Sequence, residues 1–162
     1  MSGCIVPLKA PDRPIAYPPA PLAEHATVTV IRAKQTLGSY PDHYILLDGQ
    51  TVARLRPGQY TTFAVSEGFH QISVAWKVAG ALIAVPAPPG AVVTPESTDS
   101  TDFRVSRELD CEAGRDYTLG VRVQFRSLRT ELDVEIVELD ANVDDCAFQT
   151  ETYVPPGPLD RD

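Results

Sequence analysis

The chain has 162 residues, a formal net charge of −8 and 43% hydrophobic residues. This length accommodates one domain with tails, and no apolar run approaches the roughly 20 residues that a membrane-spanning helix needs. Residues 131–162 hold 10 of the 22 acidic residues and one of the 14 basic residues. The acidity therefore belongs to the C-terminal end, and it argues against nucleic acid as a partner because phosphate binding requires a basic face.

The first 25 residues are rich in proline and alanine. Six prolines lie between Pro7 and Pro21, after a cysteine at position 4. Each proline fixes φ and removes an N–H donor, so we expect an extended segment. Polyproline II rises ~3.1 Å per residue, so about 20 residues would reach ~60 Å. Residues 1–25 are therefore predicted to form a semi-rigid tether ahead of the folded domain.

Hydrophobic residues then alternate with polar ones, and this period of two is typical of β-strands. Asp48-Gly49 predicts a hairpin turn between two apolar runs. Pro57-Gly58 occupies the central positions of a type II turn. The pattern gives about eight strands and no helix, so the sequence predicts an all-β fold, an antiparallel β-sandwich.

The register of the last hairpin follows from its charges. If residues 127–130 form the loop, Arg122 faces Glu135 and Val123 faces Val134. Opposite charges then share one face of the sheet, apolar residues share the other, and a slip of one residue would bury the charges. Each cross-strand ion pair contributes only ~0.2–1 kcal/mol, so the apolar face is expected to drive folding.

The predicted domain covers residues 26–148, with an insertion at 80–100 and a flexible acidic tail at 149–162. An insertion of this length is unusual in a compact domain, and its first half is apolar. An exposed apolar loop often marks a partner site; the alternative is that the loop folds over the sandwich and closes its open end. The residues predicted to bind a partner are Leu82, Ile83, Val85, Val92 and Val93.

The run "DGQTVARLRPGQYTTFAVSEGFHQISV" resembles the PEGA-type β-sandwich domains, and it is even more similar to a related uncharacterised domain of bacterial lipoproteins. The likeness covers roughly residues 26–139 and departs from the family at the longer insertion. It implies a small sandwich displayed on a bacterial envelope, with no catalytic residues to carry over. The matching elements are Asp48-Gly49, Leu55, Gly58, Tyr60, Ser66-Glu67-Gly68-Phe69-His70 and Ala113-Gly114-Arg115-Asp116-Tyr117.

The opening "MSGC" resembles the end of a bacterial lipoprotein signal, in which small residues precede a cysteine that becomes lipidated. The charged and apolar parts of such a signal are missing, so this hypothesis requires a start further upstream or a signal that was removed. Cys4 is then the lipidation site, and Ile5 is compatible with the periplasmic side of the outer membrane. The alternative is an accidental cysteine in a disordered leader, and a chain complete as written would stay in the cytosol.

The other two cysteines are predicted to form a disulfide. Cys111 precedes one strand of the last hairpin and Cys146 follows the other, so the two ends are neighbours. With Cys4 set aside for lipid, the remaining number is even, as an oxidising compartment favours. A disulfide that closes this 36-residue loop would stabilise the fold by ~4 kcal/mol. The alternative is two separate free thiols.

No metal or cofactor is predicted. Asp140, Asn142, Asp144 and Glu151 occupy ligand positions of an EF-hand loop, but Asp145 stands where a glycine makes the sharp turn. No amphipathic helix flanks the stretch, so we interpret the match as a coincidence. The histidines have no metal-ligand spacing and no nucleophile signature beside them; they are His25, His43 and His70.

The leading hypothesis is a non-enzymatic envelope lipoprotein that binds or assembles with another envelope protein or a cell-wall component. Contact would be made through the 80–100 loop and the exposed edge strands. A small hydrolase or metal-dependent enzyme is an alternative that requires titratable groups converging in a pocket. A carbohydrate-binding module is another, although Trp76 fits the core better than a binding platform. Its candidate aromatic residues are Tyr40, Tyr44, Tyr60, Tyr117, Tyr153 and Trp76.

Overall fold

The described residues form ten β-strands. None of the described residues lies in a helix. The computed structural model describes residues 13–18, 22–34, 42–77, 102–126, 131–139 and 152–157. The strands are β1 (Ile15–Ala16), β2 (His25–Arg32), β3 (His43–Leu47), β4 (Gln50–Leu55), β5 (Gln59–Ser66), β6 (Gly68–Lys77), β7 (Asp102–Cys111), β8 (Asp116–Arg126), β9 (Glu131–Glu138) and β10 (Thr152–Tyr153).

The strands form two sheets packed together. The six-stranded sheet has the order β1-β5-β2-β8-β9, with β10 also paired to β5, and the four-stranded sheet has the order β4-β3-β6-β7. The predicted all-β sandwich is thereby confirmed. Within the six-stranded sheet, β2 pairs with β8 in parallel, and β1 and β10 both pair with β5 in parallel. The remaining described pairings are antiparallel.

The interior of the sandwich is filled by side chains from both sheets. Val28 and Phe63 from the six-stranded sheet belong to one buried cluster with Ile72 and Val74 from the four-stranded sheet, and all four are fully buried. Trp76 is 5% exposed, which confirms its place in the core. Burying one such side chain contributes about 1.5–3 kcal/mol, so this apolar layer is the main source of stability.

Both turns predicted from glycine positions are present. Asp48 and Gly49 have φ values of 48° and 84°, as the two-residue turn between β3 and β4 requires when its backbone twist matches that of the strands. Gly58 has a φ of 76°, and the Gln59 amide donates to the Arg56 carbonyl at 3.1 Å. These features define the predicted type II turn.

The last hairpin pairs in the predicted register. Arg122 lies opposite Glu135, and Val123 lies opposite Val134. Val134 is buried at 4% exposure while the neighbouring Glu135 is exposed, so the two faces of β9 separate apolar from charged residues as expected. The register prediction is confirmed.

Two short strands lie outside the predicted boundaries at residues 26 and 148. Ile15 in β1 pairs with Phe63, and Thr152 in β10 pairs with Gln59, so both cover the edge of β5 that faces away from β2. The packed structure therefore extends into segments predicted as tether and tail. The physical reason is that an uncovered β5 would expose unpaired N–H and C=O groups, and an edge strand tolerates flanking prolines.

Candidate functional site

Three polar side chains that are distant in sequence meet beside two turns. Asp48 lies in the turn between β3 and β4, Ser66 ends β5, and His70 lies in β6. His70 Nδ1 is 2.7 Å from Asp48 Oδ2, and His70 Nε2 is 3.1 Å from Ser66 Oγ. The Gln71 amide donates to Asp48 Oδ1 at 2.8 Å. We call the first three residues the Asp48–His70–Ser66 cluster.

The sequence analysis did not predict this cluster. The His70 side chain is 13% exposed. Asp48 was expected as a turn residue, and Ser66 was named only as part of the run that resembles the family. The antiparallel pairing of β3 with β6 brings Asp48 to His70, and pairing between strands leaves no local signal. The sequence held only a non-local signal, an Asp-Gly turn followed in the next hairpin by Ser66 and His70 four residues apart.

Both ring nitrogens of His70 face oxygen atoms of neighbouring residues. Nδ1 faces a carboxylate, and Nε2 lies 3.0 Å from the Ser66 carbonyl oxygen as well as near Ser66 Oγ. Carboxylates and carbonyls only accept hydrogen bonds, so Asp48 and the Ser66 carbonyl present acceptors to the two ring nitrogens. Burial raises the pKa of Asp48, but the hydrogen bonds from Gln71 and His70 outweigh it and hold that pKa below its usual value. The cluster therefore ties the β3–β4 turn to the β5–β6 turn.

The cluster has the residue types of a serine-hydrolase triad, but its geometry differs from one. A general base needs a free lone pair on Nε2 to take the serine proton, whereas here that nitrogen also faces the Ser66 carbonyl. A shallow cleft of about 350 Å³ lies next to the cluster. His25 lines this cleft and pairs with Ser66 between β2 and β5. The cluster residues do not line it. The lining residues are Arg13, Pro14, Leu22, His25, Thr27 and Ala64.

A second pair of titratable groups is buried at the other end of the sandwich. Arg32 and His43 are each 1% exposed. Arg32 Nη1 donates to the Leu55 carbonyl at 2.7 Å, while Arg32 Nε and Nη2 and both His43 ring nitrogens have no hydrogen-bond partner among the described residues. Burial lowers the pKa of Arg32 to about 10. Burial and the Arg32 charge lower the pKa of His43 to about 3, so His43 is neutral at pH 7.

One side of the sandwich is covered by the ends of the chain itself. There β1 and β10 lie along β5. The Tyr17 hydroxyl donates to the Thr51 carbonyl at 3.2 Å, and the Gly157 amide donates to the Val52 carbonyl at 2.9 Å. Several main-chain groups of β4 and β5 are therefore bonded on this side, which we call the covered side.

On the opposite side, β7 and β9 are the last described strands of their sheets, and we call it the open side. Arg107 of β7 crosses to β9, where its Nη2 contacts Glu138 at 2.9 Å and its Nη1 donates to the Ile136 carbonyl at 3.4 Å. The Tyr117 hydroxyl donates to the Asp110 carbonyl at 2.9 Å, near the end of β7. These contacts tie β7 to β9 and occupy the Asp110 carbonyl at the end of β7.

Several predicted site residues lie outside the described residues. They are Cys4, Cys146, the acidic stretch 140–151, Tyr40 and the insertion residues Leu82, Ile83, Val85, Val92 and Val93. Cys111 is described and is 1% exposed. Burial, with Asp110 and Asp48 nearby, raises the pKa of its thiol to about 11. The Cys111–Cys146 disulfide remains a prediction.

The remaining candidate aromatic residues offer little exposed ring surface. Tyr60, Tyr117 and Trp76 are buried, and Tyr44 and Tyr153 are half-buried. Tyr153 packs against Tyr60 with ring centroids 5.4 Å apart. A flat sugar-binding platform needs exposed rings, so the described residues do not favour the carbohydrate-binding alternative.

Within the described ranges, no three His, Cys, Asp or Glu side chains gather as a metal site. The same ranges contain no apolar helix of membrane-spanning length. Comparison of the chain with protein-family models, with curated proteins and with solved structures finds no match in any of the three.

Proposed function

We propose that this chain is a bacterial envelope lipoprotein whose β-sandwich binds or assembles with another envelope protein or a cell-wall component. The observation that carries the proposal is the difference between the two sides of the sandwich. The chain's own ends cover β4 and β5, whereas β7 and β9 border an open side. A sandwich with a filled core makes its contacts through edges and loops, and edge strands bind extended segments through main-chain hydrogen bonds.

Membrane attachment in this proposal comes from a lipid on Cys4, and the support is the resemblance of the opening sequence to a lipoprotein signal. The anchor would hold the sandwich on the periplasmic side of the outer membrane. No cofactor and no nucleic acid enter the proposal. The insertion at 80–100 supplies the second contact surface, because an apolar loop on a polar domain is suited to a partner.

A deletion tests the role of the insertion. Removing residues 82–93 should leave the far-ultraviolet dichroism of the sandwich unchanged and should abolish capture of a partner from an envelope extract in a cross-linking pull-down. A Gly-Ser replacement of equal length serves as the control for loop length, and it should fail in the same way. Unimpaired capture by both variants would refute the role of the insertion.

A hydrolase is the second candidate, and the Asp48–His70–Ser66 cluster is the observation that favours it. In a working triad, an alkyl fluorophosphonate would label Ser66, and the Asp48→Asn variant would lose the label. The control is Ser106→Ala, which removes a serine elsewhere on the surface. The binding function predicts no labelling of Ser66, so a stoichiometric Ser66 adduct would establish the hydrolase instead.

A further inference from the structure

The pairing of β6 with its neighbours defines which main-chain groups of β7 face outward. The Asp48 amide donates to the Gln71 carbonyl, so odd-numbered residues of β6 direct their main-chain groups towards β3 and even-numbered residues direct theirs towards β7. Ile72 lies opposite Arg107. The odd-numbered residues of β7 therefore bond to β6, and the even-numbered residues present N–H and C=O groups at the edge that no described strand covers. The bond from Tyr117 to the Asp110 carbonyl agrees with this phase.

Three consecutive even-numbered residues of β7 are exposed, and the two outer ones carry opposite charges. Arg104 is cationic, Ser106 is neutral and Glu108 is anionic. Arg104 Nη2 donates to Ser73 Oγ at 3.0 Å, and Ser73 Oγ lies 2.9 Å from Ser106 Oγ. These bonds hold the first two side chains in place on the outer face of the sheet. Arg104 and Glu108 each lie two residues from Ser106 along β7.

We propose that two copies of this chain pair antiparallel through β7, about a two-fold axis at Ser106. In that register Arg104 of each copy faces Glu108 of the second copy, and Ser106 faces its own symmetry mate. All three positions direct their main-chain groups towards the second copy, so the pairing forms a ladder of hydrogen bonds. The two four-stranded sheets join into one continuous sheet across the interface.

The charges are the reason for choosing a second copy as the occupant of this edge. Charged side chains usually deter edge-to-edge pairing because copies of one strand bring like charges together. Here opposite signs placed symmetrically about Ser106 make the edge complementary to itself, as a two-fold interface requires. The interface is small and the dimer is accordingly weak in solution. Anchoring both copies on one membrane raises their effective concentration, and only in this respect does the inference rest on the proposed function.

Charge exchange tests the register in the purified, unlipidated chain by sedimentation velocity over a wide concentration range. Arg104→Glu and Glu108→Arg each replace two attractive contacts with two repulsive ones, and each should raise the dimer Kd about tenfold or more. The double variant restores both pairs and should return the Kd to within about threefold of the original. Arg115→Glu and Glu67→Arg make the same charge changes on exposed turns and should leave the Kd unchanged.

A cross-link tests the axis directly. In a Cys4→Ser background, Ser106→Cys should form an intermolecular disulfide between two copies of position 106 under mild oxidation, identified by mass spectrometry of the linked peptide. Gln71→Cys, which is exposed on β6 away from the edge, should not cross-link. A chain that stays monomeric at every concentration, or a double variant no better than the single variants, would overturn the dimer. These assays contain no envelope partner, so failure of the dimer would not contradict the proposed capture of an envelope partner.

Discussion

Replacing His43 with phenylalanine should remove a defined part of the pH dependence of stability. His43 is 1% exposed and its pKa is lowered to about 3, whereas an unfolded histidine takes up a proton near pH 6.5. Because the unfolded chain binds a proton that the folded chain does not, stability falls as the pH drops below 6.5. Between pH 7 and pH 5 this single group should cost the native protein about 2 kcal/mol.

Urea unfolding at pH 7, 6 and 5 measures the effect as a difference between two proteins. The His43→Phe variant should lose about 2 kcal/mol less than the native chain over this interval, because phenylalanine takes up no proton. The ring keeps the packing against Trp76, whose ring centroid lies 5.7 Å from that of His43. Phe63→Leu, which disturbs the buried core without removing an ionisable group, is the control and should retain the full loss. Equal losses in the native chain and the His43→Phe variant would contradict a buried, neutral His43.

Two further predictions concern the end of β7. Tyr117→Phe removes a hydroxyl that donates to the Asp110 carbonyl and accepts from the Glu112 amide. The loss of both bonds should lower the free energy of unfolding in urea by about 1–2 kcal/mol. An unchanged midpoint would show that water replaces both bonds. If Cys111 and Cys146 are bridged, alkylation of the unreduced, denatured and unlipidated chain should modify Cys4 alone, whereas three modified cysteines would establish free thiols. In that second case the buried Cys111 thiol, with a pKa of about 11, should react with iodoacetamide only after unfolding.

Local sequence signals predicted the parts of the fold that local chemistry determines. Asp48-Gly49 and Pro57-Gly58 require specific backbone conformations, and both turns form as predicted. The register of the β8–β9 hairpin was predictable because its charges and its apolar residues agree on one alignment, such as Arg122 opposite Glu135. In each case residues of one turn or one hairpin carry enough information to exclude other backbone conformations or other registers.

The remaining features depend on contacts between segments far apart in the chain. β1 and β10 are two residues each, too short for a period of two to be visible. The parallel pairing of β2 with β8 joins segments separated by most of the domain, and no turn connects them. The Asp48–His70–Ser66 cluster was missed for the same reason, because Asp48 already had a sufficient explanation as a turn residue.

Photo-cross-linking in intact cells tests the binding function most directly. A photoreactive amino acid at Glu108, on the open side, should give a covalent adduct in the envelope, whereas the same group at Gln50, exposed on β4 next to the covered side, should not. An adduct at twice the mass of the chain identifies a second copy and supports the dimer alone, whereas any other mass identifies an envelope partner. The binding function predicts an adduct of that second kind at Glu108 and none at Gln50; equal yields at both positions, or no partner adduct at either, would contradict it.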